Sequence, residues 1–176
     1  AAHMVAALSS EGAPDTTYVA ELFDSYAETF DEHLTGKLEY RVPQAIADLL
    51  ATNNVQTGPT LDLGCGTGLM GAALPQSSHP IDGIDIAPKM VAKAEARGLY
   101  RHLVVGDAAT VLATNEDLAG PYALVVATDA KVGARRHSHL LAMDAIDHLV
   151  LGDRIDAGLA ERFAAAGTQV HRVAPA

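Results

Sequence analysis

Asp62 and the glycines Gly64, Gly66 and Gly68 form the segment whose residue types and spacing are best suited to chemistry. An apolar run leads to Asp62, the glycines alternate after it, and a helix-compatible run follows. This order predicts a strand, a tight turn and the start of a helix, whose backbone a ligand can approach because glycine has no Cβ. Glycine-rich turns bind several nucleotide cofactors, so the glycine spacing alone does not identify the ligand.

The carboxylate of Asp62 narrows the choice of ligand. A fixed carboxylate at the mouth of the loop would repel the pyrophosphate of a dinucleotide, which disfavours a nicotinamide-dependent oxidoreductase. S-adenosylmethionine carries an ammonium and a sulfonium group, so its positive charges suit such a loop. Cys65, the only cysteine of the chain, is most simply a small residue inside the loop.

Two more acidic residues follow, each at the end of a predicted strand. Asp85 belongs to the run over residues 81–86, about twenty residues past the glycines, where βαβ nucleotide folds place a carboxylate that accepts both ribose hydroxyls. Asp107 follows the strand predicted over residues 100–105. An apolar run over residues 122–128 then predicts a fourth strand, covered on both faces as in a parallel sheet.

These segments, in this order, resemble the class I S-adenosylmethionine-dependent methyltransferases. Residues 61–71 are similar to the first motif of that family, and the resemblance extends over residues 18–130. It implies a Rossmann-like, mostly parallel α/β sheet with S-adenosylmethionine as the cofactor. It also implies that Asp107, the acidic residue after the third strand, binds the adenine amino group. The cofactor-binding residues that we expect are Tyr26, Phe30, Asp62, Gly64, Cys65, Gly66, Gly68, Asp85, Ile86, Met90, Asp107 and Ala108.

The chain is predicted to hold one domain. Residues 1–14 look like a cloning remnant and a flexible N-terminus, and residues 15–176 are long enough for one proper core. An amphipathic helical pattern begins at residue 15, and residues 15–54 are predicted to form a helical lid segment.

This N-terminal segment carries a second resemblance. Residues 22–34 and 38–43 are similar to the segment before the first motif in a methyltransferase subgroup that includes predicted methyltransferases attached to tetratricopeptide repeats. There the segment lies across the cofactor pocket as a lid, which implies that Tyr26 and Phe30 approach the cofactor. A helix packed on the sheet, with its aromatic side chains in the core, explains the same apolar face equally well.

The last part of the chain departs from the family's pattern. Apolar spacing over residues 140–149 predicts a helix. Residues 151–155 lie where the family usually has a Pro-Gly-Gly turn before its fifth strand, and Asp156 interrupts the strand expected there. A helix over residues 159–166 and a sixth strand over residues 168–173 follow, with no residues for the usual antiparallel seventh strand. Since the sheet edge is then open, we expect a homodimer with the carboxyl-terminal region at its interface, or a partner protein that completes the sheet.

Candidates for catalysis are fewer and less specific. A general base is needed only if the methyl acceptor is a hydroxyl or a similar group. Side chains expected near the carboxyl edge of the sheet are Asp129, His137 and His139, with His33 from the lid segment. The spacing of His137 and His139 fits no familiar metal site, so no metal is predicted.

Composition limits the choice of substrate and compartment. The net charge of −10 argues against a nucleic-acid substrate, because phosphates would be repelled. No apolar stretch approaches the ~20 residues that span a membrane, and a lone cysteine without a secretory segment predicts the cytoplasm. We therefore expect methyl transfer to a small-molecule acceptor. The alternative is a methyltransferase-like protein that binds the cofactor without methylation, in an accessory, regulatory or other sulfonium-assisted role.

Overall fold

The computed structural model describes residues 16–37, 41–55, 57–118, 120–127, 146–152 and 157–173. Six strands form one sheet in the order β3-β2-β1-β4-β5-β6, and every described pair of neighbours is parallel. The strands are β1 (Thr60–Leu63), β2 (Ile81–Asp85), β3 (Tyr100–Val105), β4 (Tyr122–Ala127), β5 (Ile146–Gly152) and β6 (Gln169–Val173). The mostly parallel α/β sheet predicted from the sequence is confirmed.

Helices precede and connect these strands. They are α1 (Thr16–Tyr26), α2 (Phe30–Glu32), a π-helical turn (His33–Lys37), α3 (Val42–Thr52), α4 (Leu69–Ala73), α5 (Pro88–Ala96), α6 (Ala108–Thr114) and α7 (Ala157–Ala165). Pro43 and Pro88 lie in the first turns of α3 and α5, where a missing N–H costs no intrahelical hydrogen bond. The N-terminal helical pattern is interrupted after Tyr26 by a turn, so the aromatic face is divided between α1 and α2.

The sheet is covered on both faces by apolar side chains. On one face Leu61, Val125 and Leu149 pack with α6 and α7, and on the other Leu124 and Val150 pack with α3 and α4. Burial on both faces explains why the central strands are almost continuously apolar. Within the described ranges, no helix is both long and apolar enough to cross a membrane.

The strand order places one loop at a special position. The chain moves outward from β1 through β2 to β3 and then returns to the other side of β1 with β4. Neighbouring loops therefore leave the carboxyl end of the sheet in opposite directions on the two sides of β1. Ligands of open α/β sheets bind at such a switch point. The glycine loop that follows β1 lies there.

Two predictions for the end of the chain are wrong. Ile146 and Leu149, expected in a helix, belong to β5, which pairs with β4 from Tyr122↔Ile146 to Val126↔Val150. The fifth strand consequently ends at Gly152, before the position expected for it. A short apolar run is consistent with a helix or a strand, and here burial on both faces of the sheet decides for the strand. The remainder of that predicted helix, and Asp156, lie outside the described residues.

The sixth strand lies where it was expected. β6 pairs directly with β5, from His148↔Gln169 to Gly152↔Val173, so in the described part of the chain no antiparallel strand separates them. The outer edge of β6 is the edge of the sheet as described. Homodimer formation through that edge stays a prediction.

Candidate functional site

The loop between β1 and α4 turns on three glycines with positive φ. Gly64, Gly66 and Gly68 have φ values of 75°, 55° and 84°. The N–H groups of Gly64 and Cys65 donate hydrogen bonds to the carbonyl of Ile84, at 2.6 and 3.1 Å, which ties the loop to β2. The loop is therefore held in one conformation by its neighbour in the sheet.

Two of these glycines are required for different reasons. A Cβ on Gly68 would lie 3.2 Å from Cα of Ala94 in α5, so this glycine permits close packing of the loop on a helix. A Cβ on Gly66 would meet no protein atom within 4 Å. The space beside Gly66 is open, and a ligand can approach the loop backbone there.

The side chain of Asp85, at the end of β2, binds the backbone of the glycine loop. Its Oδ2 accepts a hydrogen bond from the N–H of Gly66 at 2.9 Å, and its Oδ1 accepts one from the N–H of Ala87 at 3.0 Å. The residue is buried, with 7% of its surface exposed. A carboxylate can accept about four hydrogen bonds, so backbone amides and ligand hydroxyls can share it.

Asp107 lies at the end of the neighbouring strand. The N–H of Gly106 donates to the carbonyl of Asp85 at 2.9 Å, which joins the ends of β3 and β2. Oδ1 of Asp107 caps α6 by accepting hydrogen bonds from the N–H and the hydroxyl of Thr110, both at 3.0 Å. The structure thus brings the predicted ligands Asp85 and Asp107 to one edge of the sheet.

Asp62 is buried and has a tyrosine as its partner. The hydroxyl of Tyr100 donates a hydrogen bond to Oδ2 of Asp62 at 2.8 Å, and it accepts one from the N–H of Gly71 at 3.2 Å. Burial, and then the negative charge of Asp62, raise the pKa of Tyr100 well above its ordinary value. The tyrosine therefore acts as a neutral donor toward the carboxylate that begins the loop.

The N-terminal segment contacts the glycine loop through one acidic side chain. Asp31 accepts a hydrogen bond from the hydroxyl of Thr67, which lies between Gly66 and Gly68. Nη2 of Arg97 lies 2.6 Å from Oδ2 of Asp31, and Nε of Arg97 donates to the carbonyl of Thr67 at 2.7 Å. Asp31, Thr67 and Arg97 thus form a closed set of contacts over the loop.

The same segment packs along α5. Ala27, Ala87 and Met90 form a buried cluster, and the rings of Phe23 and Phe30 pack against it, edge to face with centroids 6.3 Å apart. Polar contacts continue the interface. Asp24 accepts from the N–H of Lys89 at 2.8 Å, and Lys93 lies 3.1 Å from Glu28. Phe23, Ala27 and Phe30 of the predicted apolar face pack on α5, whereas Tyr26 is exposed, and the role of the segment as a lid stays a prediction.

The other expected cofactor ligands are placed as follows. Tyr26 ends α1 and is 43% exposed, Ile86 directly follows β2, and Ala108 is the first residue of α6. Cys65 is buried in the loop, and Met90 and Phe30 lie in the interface between the N-terminal segment and α5. Contact of these side chains with a cofactor stays a prediction.

One of the four candidate bases, His33, lies among the described residues. Asp129, His137 and His139 lie outside the described residues. His33 is exposed in the π-helical turn, and its Nδ1 lies 3.0 Å from the carbonyl oxygen of Thr29. In the ranges that the structure covers, no group of three or more His, Cys, Asp or Glu side chains is arranged to hold a metal ion.

Sequence reasoning missed the residues that support the loop. Tyr100, Arg97 and Asp31 contact the loop or its flanking residues across separations of 29 to 38 residues. Periodicity places Tyr100 only as the start of a strand and Asp31 only on a charged helix face. Their polar contacts depend on how the elements pack, which spacing along the chain does not reveal.

Comparison with known proteins identifies the family. The family model for a methyltransferase domain matches residues 60–149, about half of the chain, which hold β1 to β4 and the first part of β5. The chain belongs to this methyltransferase domain family. No curated protein matches the sequence. Membership of the subgroup associated with tetratricopeptide repeats stays a prediction, as does a cytoplasmic location.

Solved methyltransferase structures share the fold. Magnesium protoporphyrin IX methyltransferase from Synechocystis PCC 6803 with bound S-adenosylmethionine has a TM-score of 0.62 at 19% identity, covering 90% of this chain and 88% of that one. Its complex with S-adenosylhomocysteine gives 0.51 at 22% identity, covering 72% and 68%. An S-adenosylmethionine-dependent methyltransferase from Clostridium acetobutylicum gives 0.50 at 18% identity, covering 72% and 52%. The Rossmann-like methyltransferase fold expected from the sequence is confirmed.

Proposed function

We propose that this protein transfers a methyl group from S-adenosylmethionine to a small-molecule acceptor by in-line displacement. The observation that carries the proposal is the loop after β1, which is open to a ligand at Gly66 and fixed by the carboxylate of Asp85. Membership of a methyltransferase family agrees with it, and so do fold neighbours crystallised with S-adenosylmethionine and S-adenosylhomocysteine.

The side chains around the loop suit this cofactor. S-adenosylmethionine carries positive charge, ribose hydroxyls and an adenine amino group, and each of these favours a carboxylate as its partner. We assign the ribose hydroxyls to Asp85 and the adenine amino group to Asp107, since both lie at the carboxyl edge of the sheet. Asp62, at the start of the loop, supplies negative charge near the end of the cofactor that carries the ammonium and sulfonium.

The charge of Asp62 disfavours a dinucleotide. A pyrophosphate bound at this loop would lie close to the carboxylate of Asp62, and the two negative charges would repel each other. A loop built for pyrophosphate offers helix N–H groups and no carboxylate at the position of Asp62. The electrostatics of the loop therefore support a cationic cofactor.

The protein's part in the reaction is positioning. When it is bound, S-adenosylmethionine supplies a methyl group that its sulfonium already activates. Holding two reactants in line and excluding water can contribute about 7–11 kcal/mol to lowering a barrier. The contact between Asp31 and Thr67, within the glycine loop, supports such a role for the N-terminal segment. We propose that the segment is a lid.

The class of methyl acceptor is proposed from the negative charge of the protein. The chain has a net charge of −10, and residues 1–60 hold nine acidic side chains against two basic ones, Lys37 and Arg41. A nucleic acid would be repelled from such a surface. A small, neutral or cationic acceptor is favoured, and a hydroxyl acceptor would require a base, for which Asp129, His137, His139 and His33 are the candidates.

Binding and turnover are tested separately. Calorimetry with S-adenosylhomocysteine should give micromolar affinity, and NAD should give no binding. Incubation with methyl-labelled S-adenosylmethionine and a panel of phenols, amines, carboxylates and sugars should then transfer label to one class. Binding of NAD without S-adenosylhomocysteine would overturn the cofactor assignment. Binding without transfer to any member of the panel would favour the non-methylating alternative.

A further inference from the structure

Tyr100 reaches across the sheet to the start of the glycine loop. It is the first residue of β3, yet its hydroxyl contacts Asp62 of β1, and β2 lies between these strands. The ring passes over β2 at Gly83, where a Cβ would lie 3.0 Å from ring carbons Cδ1 and Cε1. A side chain at Gly83 would crowd the ring and would also meet Cδ2 of Leu103 at 2.8 Å, so the glycine leaves room for the long-range contact.

Two further glycines complete the space that holds the ring. A Cβ on Gly71, in α4, would lie 2.6 Å from the hydroxyl oxygen of Tyr100, and a Cβ on Gly68 would lie 3.2 Å from its Cε2. We name the space between Gly68, Gly71 and Gly83 the glycine slot. Its three walls come from the loop, from α4 and from β2, and it fits one aromatic ring.

The hydroxyl at the end of the slot joins two parts of the candidate site. It donates to Oδ2 of Asp62 at 2.8 Å and accepts from the N–H of Gly71 at 3.2 Å. Asp62 directly precedes the glycine loop, and Gly71 belongs to the helix that follows it. One buried hydroxyl thus connects the residues on either side of the loop.

We propose that Tyr100 is a positioning residue for the cofactor loop, acting through Asp62 and Gly71. The inference rests on the proposed function, because it concerns the same loop and the same cofactor. Tyr100 itself is not assigned a contact with the cofactor. It fixes the direction of the Asp62 carboxylate and the first turn of α4, so that the cofactor binds a loop already in its binding conformation. Preorganisation of this kind raises affinity by reducing the ordering that binding requires.

The test removes the hydroxyl and keeps the ring. Tyr100→Phe should weaken binding of S-adenosylhomocysteine about tenfold, because the freed Asp62 carboxylate and the first turn of α4 must be ordered again when the cofactor binds. The chain offers a matched control in Tyr122, whose hydroxyl donates to the buried carboxylate of Asp82 at 3.0 Å, away from the loop. Tyr122→Phe loses an equivalent bond and should leave the dissociation constant within about twofold of wild type.

A double-mutant cycle separates positioning from packing. If Tyr100 acts through Asp62, then Tyr100→Phe combined with Asp62→Asn should bind S-adenosylhomocysteine little worse than Asp62→Asn alone. A purely structural tyrosine would instead lower the melting temperature of Tyr100→Phe and leave the affinity of the folded protein unchanged. Unchanged affinity would overturn the proposal.

Two further outcomes are decisive. Should Tyr100→Phe fail to fold, Gly71→Ala tests the same contact, because its methyl group must displace the hydroxyl. Loss of affinity in that variant supports the proposal, and wild-type affinity overturns it. Absence of binding by the wild-type protein would refute the proposed function and this inference together, whereas wild-type binding with an unaffected Tyr100→Phe refutes the inference alone.

Discussion

Arg97 and Asp31 form an ion pair, with 2.6 Å between Nη2 and Oδ2, that joins the end of α5 to the N-terminal segment. Both side chains are partly exposed, at 30% and 38%. Such a pair contributes modestly and is weakened by salt. Its position matters more than its strength, since Arg97 and Asp31 both contact Thr67 in the glycine loop.

Loss of this pair should release the N-terminal segment. Arg97→Gln should increase hydrogen exchange over residues 22–36 and weaken binding of S-adenosylhomocysteine severalfold, because the contacts of Arg97 with Asp31 and with the carbonyl of Thr67 are lost. In the wild-type protein, exchange over the same residues should slow on saturation with the cofactor.

Lys93→Gln is the matched control for that variant. It removes a more exposed pair on the same helix, with Glu28, which does not contact the loop. Exchange that is unchanged by cofactor in the wild-type protein would contradict a lid and support plain packing on α5.

Asp85→Ala should weaken cofactor binding by about 1.5–3 kcal/mol, the range for hydrogen bonds to a charged group. The substitution removes the proposed ribose ligand and also the acceptor for the N–H of Gly66. Calorimetry measures the loss, and Asp117→Ala, an exposed residue with the same change of charge, should have no effect. Equal affinities for the two variants would remove Asp85 from the site.

Comparing Gly66→Ala with Gly98→Ala should distinguish the cost of backbone strain from the loss of space for a ligand. The two glycines have φ values of 55° and 66°, and a Cβ on either meets no protein atom within 4 Å. Each substitution should therefore cost about 1–2 kcal/mol of stability for a left-handed conformation. Only Gly66→Ala should also reduce cofactor affinity, and Gly66→Val should abolish it. Equal affinities for the two alanine variants would place the ligand elsewhere.

Stability should fall in mild acid because of His171. Burial, and then its neighbour His148, lower its pKa, and the two ring nitrogens are 3.2 Å apart on β5 and β6. The unfolded chain has a histidine pKa of about 6.5, so it binds a proton first as the pH falls. The free energy of unfolding therefore decreases from about pH 6.5 down through the lowered pKa, by less than about 1 kcal/mol because the pair is partly exposed.

Denaturant titrations between pH 7.5 and 5 measure this change. His171→Gln should remove part of the slope, whereas the exposed His33→Gln should keep it. A slope that is identical in wild type and His171→Gln would show that other groups cause the pH dependence.

The sequence predicted the part of the fold whose signals are local. The strand, glycine turn and helix around Gly64 to Gly68, and the helix that begins at Pro88, are each specified by residues close together in the chain. The carboxylates Asp85 and Asp107 were found because parallel strands bring their carboxyl ends to one edge. These two residues of the candidate site could therefore be predicted without knowing how the elements pack.

The remainder depends on contacts between distant elements. Leu149, Val150 and Leu151 are consecutive apolar residues, and only burial on two faces of a sheet identifies them as a strand. Tyr100 becomes a candidate only when Gly83 and Gly71 are seen to leave room for its ring. Such complementarity is a property of the folded protein, because it arises where three elements meet.

Because of the glycine slot, the effect of a substitution at Gly71 or Gly83 depends on the residue at position 100. A methyl group at Gly71 would meet the hydroxyl of Tyr100 at 2.6 Å, and one at Gly83 would meet its ring at 3.0 Å and Cδ2 of Leu103 at 2.8 Å, so both substitutions crowd their neighbours. A small residue at position 100 would in turn leave a cavity over β2. The three nearest contacts at Gly71 all come from Tyr100, so sign epistasis is expected there: alanine at Gly71 is harmful beside tyrosine and beneficial beside a smaller residue at position 100. The residues that can stand in and after the glycine loop therefore depend on the first residue of β3, a strand two positions from β1 in the sheet.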